Sequence, residues 1–167
     1  MIGSMDQLRE AKALLREQEQ TLQAEGVPTG PVKVGMMVEI PAAAVLAEEF
    51  AKEVDFFSIG TNDLTQYTLA VERGNAAVAH LYAPEHPAVL RLVQFTVEAA
   101  GRAGIPVSVC GEMAGDPRYA ALLLGLGVRE LSMAPSNLPL VKRRVRGLDL
   151  REATRRAGMI MSQTDGG

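Results

Sequence analysis

Apolar runs alternate with longer amphipathic stretches along most of this chain. A helix is predicted from Met5 to Glu25, because Ser4 and Gln7 have capping-box spacing and leucines recur along the stretch. Four strand-and-helix units follow, with strands that are apolar throughout. The predicted strands, each with its helix, are Val32–Val38 with Pro41–Lys52, Asp55–Ile59 with Pro87–Ala103, Pro106–Val109 with a helix from Asp116-Pro117 to Leu124, and Glu130–Met133 with Leu138–Arg146.

Two segments between these elements are predicted as loops, and the chain is predicted to end in a tail. The first loop follows Gly60 and the second spans Cys110–Gly115. A short helix is predicted near Leu150–Ala157. Residues 1–158 are then expected to form one domain, and residues 159–167, rich in Ser, Gln, Thr, Asp and Gly, a disordered tail.

Apolar strands that alternate with helices predict an α/β fold with a parallel sheet covered by helices. Doubly wound and barrel folds both fit this pattern. Polar residues decide between them, because they follow the carboxyl ends of successive strands, where a (β/α)₈ barrel gathers its active site. These residues are Glu39, Asn62, Asp63, Cys110 and Ser132. A complete barrel needs roughly 250 residues, so we expect half a barrel, with Met1-Ile2 as the end of a preceding strand.

Composition narrows the function classes. The 167 residues are 47% hydrophobic and carry a net charge of −3, which is typical of one soluble domain and does not favour a nucleic-acid binder. The basic run Lys142–Arg146 is interpreted as a solvated helix face. Neither a membrane span nor a signal peptide is indicated, so the cytoplasm is expected. The single cysteine, Cys110, cannot form an internal disulfide.

Glu39 and Asp63 form the first candidate site. Each follows a buried strand, and two carboxylates on neighbouring strands can supply oxygen ligands to Mg²⁺, which also takes substrate phosphate and water. Taken alone, Glu39 is equally well explained as a salt-bridged loop acid.

Three further side chains are candidates for substrate chemistry. Asn62 can hydrogen-bond a phosphate or enolate oxygen, although Asn beside a Gly-Thr turn is often a turn former. Arg73 offers a planar fork for phosphate, although its position favours a surface charge. Cys110 can give or take a proton, although a lone cysteine is more often a buried apolar residue. His80 and His86 lack zinc-ligand spacing, and structural or surface roles are expected.

Long sequence runs resemble one known family. They are similar to enzyme I of the phosphoenolpyruvate:sugar phosphotransferase system, and the resemblance extends from Met1 to about Ala157. The runs that carry it are Gly35–Pro41, Lys52–Tyr67, His80–Tyr82, His86–Leu90 and Cys110–Asp116. Pyruvate phosphate dikinases and phosphoenolpyruvate synthases share the run Asn62–Gln66 and are the alternative, but Tyr67 and Cys110–Gly115 are more similar to enzyme I.

The resemblance implies the C-terminal half of a (β/α)₈ TIM barrel that binds phosphoenolpyruvate. Glu39 and Asp63 match the positions of the family's Mg²⁺ ligands. Asn62, Asp63 and Arg73 match its substrate contacts, and Cys110 matches its proton donor. The phosphoryl group would pass to a histidine on a separate domain and then to the carrier protein HPr, leaving pyruvate. A homodimer is also implied.

The sequence departs from the family pattern in three ways. Glu72 stands where Asp is common before the arginine, no phosphorylatable-histidine motif is present, and the family's further substrate arginines have no counterpart here. We therefore expect this chain to be a fragment that is inactive in phosphoryl transfer by itself. A non-catalytic dimerisation module is the alternative from another class.

Overall fold

The computed structural model describes residues 1–162. In this range it contains nine α-helices and four β-strands, with a short 3₁₀ turn at Ala79–Leu81. In chain order the elements are α1 Met5–Ala24, β1 Met36–Val38, α2 Pro41–Val45, α3 Ala47–Phe50, β2 Phe57–Gly60, α4 Thr61–Leu69, α5 Pro87–Ala103, β3 Val107–Cys110, α6 Glu112–Gly115, α7 Pro117–Gly125, β4 Glu130–Leu131, α8 Leu138–Arg146 and α9 Leu150–Ser162.

The four strands form one parallel sheet in the order β1-β2-β3-β4. Val38 pairs with Ile59, and Gly60 pairs with Cys110. Each strand lies beside the one before it, whereas a doubly wound sheet reverses its order at a switch point. The arrangement confirms the predicted α/β class and is that of half a barrel.

The strands bury one face and leave the other accessible. Val38, Phe57, Ile59 and Val109 are fully buried against the helices. Because side chains alternate along a strand, the intervening residues lie on the opposite side of the sheet. We call this side the open face; its members are Met37, Glu39, Ser58, Gly60, Ser108 and Cys110.

Helix α1 is anchored mainly through its N-terminal half. Ser4 caps it by accepting from the Gln7 amide at 3.3 Å. Leu8 is the residue of α1 that is buried, and Arg9 pairs with Glu53 at 2.7 Å. The helix carries the leucines that the sequence analysis used to predict it. Most of its apolar side chains are not packed against other residues within 1–162, and three leucines are exposed: Leu14, Leu15 and Leu22.

Several predicted boundaries were wrong. The loop expected after Gly60 is helix α4 over Thr61–Leu69, and Glu112–Gly115 forms one helical turn within the second predicted loop. Strand β1 begins only at Met36, because the Val34 amide before it donates to the Asp55 carboxylate at 2.7 Å and not to a strand partner. Helix α9 continues through Ser162, so the disordered tail is wrong for residues 159–162; residues 163–167 lie outside the described range.

Other boundaries were predicted correctly. Helix α5 runs from Pro87 to Ala103 and ends at Gly104 in the left-handed conformation, with φ +71°. His86 caps this helix because its Nδ1 accepts from the Ala88 amide at 3.2 Å, which confirms a structural role. The basic run of α8 is exposed. Among the helices of residues 1–162, none has the length and apolar character needed to cross a membrane.

Candidate active site

The ends of three neighbouring strands bring the candidate residues together. Continuing the register past Val38 and Ile59 places Glu39 beside Gly60, which pairs with Cys110. A Cβ at Gly60 would lie 3.0 Å from the Glu39 Cβ and 3.3 Å from its Oε2. Glycine at this position therefore lets the Glu39 side chain approach the β2 backbone closely.

Glu39 and Asp63 interact with each other. Asp63 lies in the first turn of α4, where the helix N-terminus favours negative charge. The pKa of Glu39 is raised, chiefly by burial and then by the nearby Asp63 carboxylate. Glu39, whose ionised form is disfavoured beside the second carboxylate, forms with Asp63 an oxygen donor pair suited to a small divalent cation.

Asn62 and Thr61 join α4 to the end of β3. The Asn62 Oδ1 accepts from the Glu112 amide at 3.0 Å, and the Thr61 hydroxyl donates to the Cys110 carbonyl at 2.9 Å. Since Asn62 uses its oxygen in this contact, its amide nitrogen is the group available to an acceptor on a ligand. Thr61 is buried and was missed by sequence reasoning.

Gly111 is required by this junction. Its φ is +91°, and a Cβ there would lie 2.7 Å from Thr61 Oγ1 and 2.9 Å from Asn62 Oδ1. In the structure Thr61 and Asn62 fill the space where its side chain would be.

The Cys110 sulfur lies on the open face and is partly accessible. It donates to the Ile59 carbonyl at 3.5 Å and accepts from the Ser58 hydroxyl at 3.6 Å. The Met37 sulfur is 3.7 Å away. Cys110 is thus not the buried core residue that was its alternative interpretation.

Arg73 reaches the site through Glu112. It lies between α4 and the 3₁₀ turn, and its guanidinium is 3.7 Å from the Glu112 carboxylate in an exposed ion pair. Its backbone amide donates to Gln66 Oε1 at 3.3 Å. The structure therefore leaves the Arg73 side chain solvated and near the strand ends, with one acid as its partner.

Two tyrosines anchor the segment that carries Arg73, which we call the Arg73 connection (residues 70–86). The Tyr82 hydroxyl donates to the Asn62 carbonyl at 3.3 Å, and burial raises the pKa of Tyr82. The Tyr119 hydroxyl donates to Glu85 at 2.9 Å. Burial and the Glu85 carboxylate raise the pKa of Tyr119 to about 12.

Comparison with known proteins identifies the architecture around these strand ends. The family model described as PEP-utilising enzyme, PEP-binding domain, matches residues 1–150. The chain belongs to this PEP-binding domain family.

Curated relatives of the PEP-binding domain carry the name phosphoenolpyruvate-protein phosphotransferase. The protein of Geobacillus stearothermophilus is 50% identical over 163 residues, which are 97% of this chain and 28% of the relative. That of Priestia megaterium is 48% identical over 98% of the chain and 29% of its own length. That of Staphylococcus aureus is 48% identical over 92% and 27%. The predicted resemblance is confirmed, and the chain spans under a third of each of these relatives.

Within residues 1–162, this PEP-binding domain has no cluster of three or more His, Cys, Asp or Glu side chains arranged to hold a metal ion. The strand ends supply the pair Glu39 and Asp63. Ser132 directly follows β4, and its amide donates to the Val109 carbonyl at 2.9 Å, so it lies at the same edge of the sheet, as predicted.

Proposed function

We propose that this chain supplies the phosphoenolpyruvate- and Mg²⁺-binding half-site of a phosphoenolpyruvate-protein phosphotransferase of the sugar phosphotransferase system. The observation that carries the proposal is the meeting of Glu39, Asp63, Asn62 and Cys110 at adjacent strand ends. The names of relatives about half identical to this chain favour this function over the dikinase and synthase alternative.

Glu39 and Asp63 are the residues proposed to hold Mg²⁺. They fit a hard cation because the raised pKa of Glu39 reflects partial burial and the charge of Asp63. Mg²⁺ takes one or two protein carboxylates and fills its remaining positions with substrate oxygens and water. When bound, it would supply positive charge beside the phosphate and carboxylate groups of phosphoenolpyruvate.

Asn62 and Arg73 are proposed to bind the substrate. The Asn62 amide nitrogen is free to donate because its oxygen is held by the Glu112 amide. The Arg73 guanidinium is presented in an exposed pair with Glu112, and exchange of that carboxylate for a phosphate gains bidentate geometry at little cost. Charge on the transferring phosphoryl group would then be stabilised from two sides.

Cys110 is proposed as the proton donor. Loss of the phosphoryl group from phosphoenolpyruvate leaves an enolate, and transfer of the thiol proton to its terminal carbon gives pyruvate. The phosphoryl group would pass to a histidine on a separate domain and then to HPr. His86 is engaged as the cap of α5, and neither His86 nor His80 lies in a phosphorylatable-histidine motif, so neither is proposed as the acceptor.

The isolated chain is proposed to be inactive in phosphoryl transfer, because the phosphohistidine belongs to another part of such an enzyme. Steady formation of pyruvate and phospho-HPr by these 167 residues would contradict this. A cytoplasmic homodimer is the proposed setting of the complete protein.

Calorimetric titration with phosphoenolpyruvate, with and without Mg²⁺, tests the half-site. We expect saturable binding that requires Mg²⁺ and is lost when Glu39→Ala and Asp63→Ala are combined. A matched control combines Glu10→Ala and Glu17→Ala, which remove two exposed acids from α1. Absence of binding by a folded sample, or binding that survives loss of both site acids, would reject the proposed half-site.

A further inference from the structure

Two serines of the open face share a position but differ in their contacts. Ser58 and Ser108 are direct partners in the β2–β3 register. The Ser108 hydroxyl donates to the Phe57 carbonyl at 3.4 Å, whereas the Ser58 hydroxyl donates to the Cys110 sulfur at 3.6 Å. Location in the sheet therefore does not explain why the Ser58 hydroxyl is directed at the thiol.

The other neighbours of the Cys110 sulfur are acceptors. The thiol donates to the Ile59 carbonyl at 3.5 Å, and the Met37 thioether sulfur lies at 3.7 Å. Acceptors favour the protonated thiol, while a donor favours the thiolate. Among residues 1–162, Ser58 is the side chain that donates a hydrogen bond to this sulfur.

Several charged side chains lie near this edge of the sheet. Glu39 on the chain after β1, Asp63 on α4 and Glu112 on α6 bring negative charge to the same strand ends, while Arg73 is the cation that pairs with Glu112. A neutral hydroxyl stabilises the thiolate without altering the charge of the site.

We propose that Ser58 is a positioning residue for Cys110, fixing the sulfur at the strand end and stabilising the thiolate that remains after proton donation. The direction of proton transfer rests on the proposed function. The S–H bond breaks while a C–H bond forms on the enolate carbon, and the electron pair stays on sulfur. Ser58 keeps its own proton throughout, and water returns a proton to the thiolate.

Alkylation of the chain by iodoacetamide tests this contact, because Cys110 is the one cysteine of the sequence and the thiolate is the reacting form. The reaction is followed at fixed pH, without phosphoenolpyruvate or Mg²⁺. We expect Ser58→Ala to slow alkylation about three- to tenfold, the effect of losing one typical hydrogen bond. Ser108→Ala, the matched control, leaves the rate unchanged.

A second pair of variants separates the hydroxyl from side-chain volume. Ser58→Thr and Ser58→Val have the same shape, and both suit a strand, but only threonine retains the donor. We expect the threonine variant to react near the original rate and the valine variant to react slowly. The infrared S–H stretching band of Cys110 should shift in the alanine and valine variants and stay in place in Ser108→Ala.

Equal rates for the threonine and valine variants, or equal slowing by Ser58→Ala and Ser108→Ala, would overturn the proposal. Because alkylation needs neither substrate nor metal, its outcome is independent of the calorimetric titration. If the variants show the expected alkylation rates but the chain does not bind phosphoenolpyruvate, the proposed function is rejected and the Ser58 contact stands. If the chain binds phosphoenolpyruvate but the alkylation rate of Cys110 does not change in the Ser58 variants, only the role of the Ser58 contact is rejected.

Discussion

At the scale of single residues, the structure at the strand ends requires glycine at position 111. Gly111 combines φ +91° with neighbours that leave no room for a Cβ, since Thr61 Oγ1 and Asn62 Oδ1 would lie within 3 Å of it. Gly26 also has a positive φ, +74°, but nothing lies within 4 Å of its Cβ position. The two glycines therefore separate backbone strain from overpacking.

Gly111→Ala should lower the free energy of unfolding by about 2–6 kcal/mol, the sum of a backbone conformation (φ +91°, ψ −171°) that is essentially confined to glycine and an overpacked contact. Gly26→Ala should lower it by about 1 kcal/mol, since it carries the backbone term alone. Urea unfolding of both variants measures the difference. Equal losses would mean that Thr61 and Asn62 move aside without cost.

Glu39 should make the stability of the metal-free chain depend on pH. Its folded pKa is raised above the value in the unfolded chain, so the folded state penalises the ionised form. The penalty is absent below the unfolded pKa, grows as pH rises through the folded pKa, and is constant above it.

Glu39→Gln should therefore raise the free energy of unfolding at pH 7 in the presence of a chelator, by less than about 1 kcal/mol because water screens the site. At pH 4 the gain should shrink. Urea unfolding at the two pH values measures it, with the exposed Glu10→Gln as control. A variant less stable than the parent at pH 7 would contradict the raised pKa.

At the scale of elements, two tyrosine hydroxyls help to attach the Arg73 connection: that of Tyr82 donates to the Asn62 carbonyl, and that of Tyr119 donates to Glu85. Tyr67 has no such contact within residues 1–162 and is exposed. The chain contains three tyrosines, so the third is a natural control for the first two.

Tyr82→Phe and Tyr119→Phe should each speed tryptic cleavage after Arg73 about three- to tenfold, because loss of one hydrogen bond raises the population of the open connection. Tyr67→Phe should leave the rate unchanged. Limited proteolysis followed by mass spectrometry gives the rates. Unaltered cleavage in the first two variants would show that other contacts hold the connection.

The elements also show what a sequence can predict. Helix α5 was predicted at both ends because Pro87 and Gly104 act locally. Helix α4 was interpreted as a loop because its first turn is polar; what orders that turn is a hydrogen bond from Thr61 to Cys110, 49 positions away. No local pattern contains that contact.

The candidate site also contains residues that the sequence predicts and residues that it does not. Glu39, Asp63 and Cys110 were placed from the sequence because residues that follow parallel strands meet at one edge of the sheet. Thr61 and Tyr82 were missed, since both act by donating to backbone carbonyls of residues distant in sequence. Nothing in the local sequence indicates these carbonyl partners, because only folding brings them close.

At the scale of the whole molecule, β1 and β4 are edge strands with one neighbour each within residues 1–162. Unpaired edges of a parallel sheet invite pairing with another chain. We expect sedimentation velocity to show association that increases with concentration. A single monomeric species at every concentration would contradict this.

A charge beside one edge should weaken the association. Val32, on the segment leading into β1, is 74% exposed, and Val45 at the end of α2 is 65% exposed. Val32→Lys should therefore reduce association, and Val45→Lys, which adds the same charge on a helix rather than on the segment leading into an edge strand, should not.

The uncovered half of α1 affects how a thermal melt of this chain must be interpreted. Beyond Leu8, Arg9 and the contact of Lys12 with the Glu53 carbonyl, the helix resembles an isolated peptide helix, which is marginal in water and loses helicity gradually on warming. Far-ultraviolet circular dichroism should therefore show a steeply sloping pre-transition baseline. The apparent enthalpy obtained from that signal will understate the cooperativity of the sheet and its covering helices.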